Sequence, residues 1–171
     1  MSIWTNNTAA LLMMALPASA GEVTIAPPDG YCTAGAGEAG IVHLRPCDGA
    51  DGPEMGVLIG PEGSGTVLAN PARVAGWLGS AEGLASLSGP GWPNAVIHEM
   101  TSAGDAIVML VGHRGSTDLL WRILVPLRGR LVTLTLPTAP GANVAEDRGA
   151  ALRLLFAMRS ANPELGGTAE E

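Results

Sequence analysis

The stretch spanning residues 121–162 constrains this chain more than any other. Trp121-Arg122-Ile123-Leu124-Val125-Pro126-Leu127 is rich in β-formers, and Arg128-Gly129-Arg130 follows it. A glycine there can take the positive φ that a short hairpin loop needs. Residues 131–136 then read as the return strand. Val132, Leu134 and Leu136 share one face, and Thr133 and Thr135 share the other. That period of two marks a strand buried on one side. Pro126 cannot donate a ladder hydrogen bond, so the first strand is expected at a sheet edge, or with a bulge at the proline.

A helix should follow. Asn143 reads as its N-cap, with Glu146 three residues on as in a capping box. Glu146 and Asp147 would sit in the first turn, where the helix dipole favours anions. Ala151, Leu152, Leu155, Phe156 and Arg159 recur on one side at helical spacing, and Asn162-Pro163 ends the helix. This apolar stripe is expected to cover the Val132/Leu134/Leu136 face.

The earlier chain supplies further elements. Val23 and Ile25 suggest a short strand, and residues 41–44 and 57–59 two more. The stretches 95–100 and 106–111 form an antiparallel pair about Gly104-Asp105. Asn70-Pro71 looks like the cap and first position of a helix over 72–78, and Ser80 caps another over 81–87. The fold expected is therefore α+β: an antiparallel sheet with a C-terminal amphipathic helix on one face and one or two short helices before the central strands. At 171 residues, 47% of them hydrophobic, the chain suits one domain with a real core. That domain is expected over residues 21–163, with a frayed polar tail at 164–171.

Residues 8–16 are an apolar run too short to span a bilayer, and Ala18-Ser19-Ala20 is a small-x-small cleavage motif. Residues 1–20 therefore read as a secretory signal peptide, although no Lys or Arg precedes the apolar run. Cleavage would leave no transmembrane span and send the chain to the periplasm or outside. Cys32 and Cys47 are the only cysteines. In an exported chain two cysteines 15 apart most simply form a disulfide.

Candidate chemistry is sparse. His98-Glu99 lacks the second histidine of H-e-x-x-h, since residue 102 is Ser. The acidic loop at 47–54 does not match the calcium-loop spacing, and residues 60–65 read as a plain glycine-rich loop without the Lys of a phosphate cradle. No metal and no cofactor is expected. His98 or His113 could serve a small hydrolase with Ser116 and Asp105 or Asp118, yet Gly115-Ser116-Thr117 is not a nucleophile elbow. Arg128 and Arg130 flank the hairpin turn and could bind a carboxylate or phosphate bidentately. Trp92, in a Gly/Pro loop, could present an indole to a partner. The net charge of −7 argues against nucleic acid. Charge is uneven: residues 21–113 hold two Arg against ten Asp or Glu, and residues 114–162 hold seven Arg against three.

Gly30-Tyr31-Cys32, Trp121-Arg122, Gly129-Arg130-Leu131-Val132-Thr133-Leu134 and the terminal Ala161-Asn162 together resemble a group of uncharacterised small exported proteins of GC-rich Gram-negative bacteria. The late strand pair feeding a last helix is also similar to the PsbP-like α/β fold of extrinsic photosystem subunits. That resemblance implies a non-catalytic binding or assembly subunit and carries over no catalytic residue. The role expected is a non-enzymatic periplasmic module for a protein or envelope-associated partner. The alternatives are the hydrolase and a carrier of a small apolar ligand held between sheet and helix.

Overall fold

The computed structural model describes residues 21–37, 40–88 and 94–163. The expected signal peptide, Trp92 and the polar tail lie outside the described residues. The late hairpin is the centre of the sheet. Its strands are β6 (Leu119–Leu127) and β7 (Arg130–Thr138), joined by the two residues Arg128 and Gly129. Both have positive φ, 51° and 75°, the backbone twist that a two-residue hairpin loop requires. Arg128 therefore belongs to the turn and Arg130 already pairs, with Leu127.

Five more strands complete one antiparallel sheet: β1 (Tyr31–Ala36), β2 (Val42–Pro46), β3 (Met55–Glu62), β4 (Ala95–Ala103) and β5 (Ala106–His113). The order is β1-β2-β3-β7-β6-β5-β4, two meanders joined where β7 pairs with β3. So β6 is an interior strand, not an edge. Pro126 is tolerated because the β5–β6 ladder ends at Ile107 opposite Leu124, two residues before it.

Cys32 and Cys47 are bonded, with Cα atoms 5.2 Å apart. The bridge ties the edge strand β1, which sequence patterning did not reveal, to the end of β2. The segment carrying Val23 and Ile25 is not a strand. Its backbone bonds go instead to the end of the last helix: Thr24 N–H donates to Asn162 Oδ1 at 2.8 Å, and Asn162 Nδ2 donates to Thr24 O at 2.7 Å. Val23 is buried by this arrangement.

Helix α3 (Val144–Ala161) lies on one face of the sheet. The Asn143 side chain accepts from Ala145 N–H and donates to Glu146, so the cap forms as expected. The buried stripe is Ala150, Ala151, Leu154, Leu155 and Met158, packed on Ile123, Val125, Val132, Leu134 and Leu136. It is turned from the expected one, and Phe156 is 60% exposed. Trp121 explains part of this rotation. It fills the space beneath the helix start, buried, with Nε1 donating to Val144 O. The two alanines then let the backbone close onto the sheet, and Arg159 reaches sideways to Asp105 and to Ala103 O at the β4–β5 turn.

The other face carries α1 (Pro71–Leu78) and α2 (Ala81–Leu87), capped by Asn70 and Ser80 as their sequences indicate. A 3₁₀ segment at Ser64–Ala69 precedes them where only a loop was expected. The two helices meet at Gly83, where a Cβ would lie 2.5 Å from Leu78 Cα. Leu68, Leu78 and Leu87 pack on Ile107, Met109 and Val111 of β5. With α3 beneath Val108 and Leu110, β5 is buried on both faces, which is why its sequence is one unbroken apolar run.

Candidate functional site

The 3₁₀ segment is seated on the β6–β7 turn. Gly65 N–H donates to Gly129 O at 3.1 Å, and Leu131 N–H to Ser64 Oγ at 2.9 Å. A side chain at Gly65 would strike Gly129, so only glycine allows this approach. Fixing the segment there leaves a groove of about 590 Å³ between it, α1 and the sheet. Leu124 of β6 and Leu131 of β7 form the floor, while Val67, Val74 and Trp77 form the walls. Val67 is 53% exposed and Trp77 46%; Leu58 on β3, exposed by 39%, faces the same way. Apolar walls on a concavity of this size are the usual make-up of a small-molecule site.

One residue on the same sheet face, next to the floor, is out of place. Arg122 precedes Leu124 by two positions on β6 and so shares its face. It lies in a cross-strand row with Met109 on one side and Thr135 on the other, and Gly56 lies beyond Thr135. Its Nε is buried with no hydrogen-bond acceptor, and no carboxylate among the described residues pairs with it. Burial pushes its pKa below the ordinary arginine value, with desolvation the sole cause. The Thr135 hydroxyl is already committed to Gly56 O at 3.4 Å. Arg73, on the groove's rim, likewise has no ion pair among the described residues.

The residues singled out from sequence fare differently. Arg130 donates to Gly60 O at 3.2 Å, binding the hairpin to β3. The stem of Arg128 lies near Gly21. Arg128 lies within the turn and Arg130 at the start of β7, and the two share no partner among the described residues. His98 sits exposed on β4 over Gly112, with no side-chain hydrogen bond or ion pair among the described residues. Ser116 donates to Asp118 at 2.9 Å, and His113 Nε2 is 3.9 Å from the same carboxylate. In a histidine-dependent hydrolase the serine's proton is accepted by the histidine, whereas here Ser116 donates to a carboxylate. His43 and Arg45 both bind Glu54, and the Arg45 hydrogen bond is the main reason its carboxyl is held below the usual range.

Sequence reading missed the groove and Arg122. The signal was present in the alternation of β6, where Arg122, Leu124 and Pro126 oppose Trp121, Ile123 and Val125. The unbroken run of β5 says that this second face is covered too. No protein-family model matches the chain, and no curated protein matches it.

Proposed function

We propose that this protein is a non-catalytic binding module working outside the cytoplasm, and that the groove between α1 and the sheet receives its ligand. The observation that carries the reading is the combination of concave apolar walls with exposed Trp77 and Val67, where a sealed core would leave neither. It favours the carrier form of the role over an extended protein interface, because a volume of about 590 Å³ suits a small molecule. The ligand lies between sheet and helix, but on the face opposite the C-terminal helix. The Cys32–Cys47 bond fits an oxidising compartment such as the periplasm. No described helix is long and apolar enough to cross a membrane.

Nile red, a neutral apolar dye, tests the reading. It should brighten on binding in a 1:1 complex. Val67→Asp and Trp77→Ala, both at exposed positions, should weaken binding roughly fivefold or more without lowering stability by more than about 0.5 kcal/mol. Absence of binding, or binding indifferent to both changes, would remove the groove from the account.

A further inference from the structure

An unpaired guanidinium within a mostly covered sheet face is costly. Burying a charge is tolerated when a partner and hydrogen bonds replace the lost water. On the opposite face two half-buried cations have an ion-pair partner, Arg148 with Glu99 at 3.1 Å and Arg159 with Asp105, although the Nε of Arg148 is also without an acceptor. Arg122 has none within the described chain, and its Nε is shut away from solvent. No acceptor for it lies among the described residues, and a bound ligand could supply one to the guanidinium.

Position narrows the chemistry. Arg122 and Leu124 are successive residues on one face of β6, so their Cα atoms are about 7 Å apart along the strand. Leu124 is also floor of the groove. A ligand lying over Leu131 and Leu124 would therefore reach the guanidinium with one end. That end must be anionic, and a single planar fork of donors matches a carboxylate. The rest should be mostly apolar, because Leu124, Leu131, Val67 and Val74 offer no partner to a polar body, while Thr66 Oγ1 already donates to Gly63 O and Asn70 Oδ1 already accepts from Arg73 N–H.

We propose that the groove binds a single-chain amphiphile with a carboxylate head, its tail over Leu124 and Leu131 beneath Trp77 and its carboxylate on Arg122. This rests on the groove being the binding surface, and it goes further by naming the ligand class and the residue that selects it. Arg73 on the rim adds a second positive charge for the same head. The overall charge of −7 would repel such an anion at long range, so affinity should rise with salt until the Arg122 contact is itself screened.

Displacement of Nile red by dodecanoate, dodecanol and dodecylamine, all below their aggregation limits, tests the proposal. Dodecanoate should displace the dye roughly tenfold more tightly than dodecanol, the scale of a charge-assisted hydrogen bond, and dodecylamine should be weakest. Arg122→Gln should abolish the preference for dodecanoate and leave dodecanol unchanged. Should that variant fail to fold, Arg122→Lys keeps the charge but not the fork, and should lose several-fold for dodecanoate alone. Nile red binding at the groove with equal displacement by acid and alcohol would overturn the carboxylate assignment while leaving the groove as a binding surface. A preference that survives Arg122→Gln would likewise overturn the role of Arg122. Failure of Nile red itself to bind would overturn both.

Discussion

The two faces of this sheet are built from the same strands and finished differently. On the α3 face, Trp121, Ile123 and Val125 of β6 are buried under Leu154, Leu155 and Met158, and nearby cations are paired with carboxylates. On the α1 face, Leu124 of the same strand floors a groove with exposed apolar walls, and Arg122, two residues before it, has no carboxylate partner among the described residues. One residue of offset along β6 thus separates a sealed core from an open site. The α3 face carries most of the stability. Among the described residues the α1 face keeps an uncompensated charge and uncovered apolar surface, the sort of local cost that a ligand can offset.

Mutations should separate the faces. The largest effect belongs to Leu155→Ala, which opens a cavity beneath α3 and should cost about 2–5 kcal/mol by urea denaturation. A loss below about 1 kcal/mol would mean that α3 is not the main packing element. Reducing the Cys32–Cys47 bond frees a 15-residue loop and should cost about 3 kcal/mol in the chain-entropy account, read from the shift in urea midpoint with and without reductant. An unchanged midpoint would show that β1 lies outside the cooperative unit.

Arg122→Met tests the open face directly. Replacing an unpaired, partly desolvated charge by an apolar side chain should raise stability, by roughly 1 kcal/mol, while removing selectivity for an acid. A clear loss of stability would mean that the guanidinium is held by favourable contacts. The smallest effect is at β2–β3. Glu54 has its carboxyl lowered by Arg45 and then His43, so its contribution is present above the ordinary glutamate pKa. That contribution is lost as pH falls through the depressed folded value. The acid limb of a stability–pH curve should flatten slightly in Glu54→Gln; an identical limb would remove the ion pair from the account. Because the Glu54 side chain is 38% exposed and so partly screened by solvent, the change should be small.

Much of this architecture is legible in the amino acids. Asn70, Ser80 and Asn143 mark three helix starts through their capping chemistry, and Gly104 and Gly129 mark two hairpin turns through positive φ. What escapes has physical reasons. The 3₁₀ segment lies in glycine-rich sequence whose periodicity is too short to register, and it is held by backbone contact with Gly129. Periodicity could not distinguish Met158 from Phe156 as the inward residue, because tertiary packing, including the volume taken by Trp121, contributes to it. Pro126 suggested an edge, but what matters is where the neighbouring strand stops. Arg122 reads as a solvated strand residue until β5 is recognised as covered twice, and only then does a cation on that face become conspicuous.

The most direct measurement is an NMR titration of the protein with dodecanoate, following backbone amides and the Arg122 Nε–H together. The account predicts saturable shifts confined to Arg122, Leu124, Leu131 and α1, a shift of the Arg122 Nε–H as the carboxylate reaches the guanidinium, and silence along α3. Shifts centred on α3, or an Nε–H that stays where it was while other amides move, would contradict it.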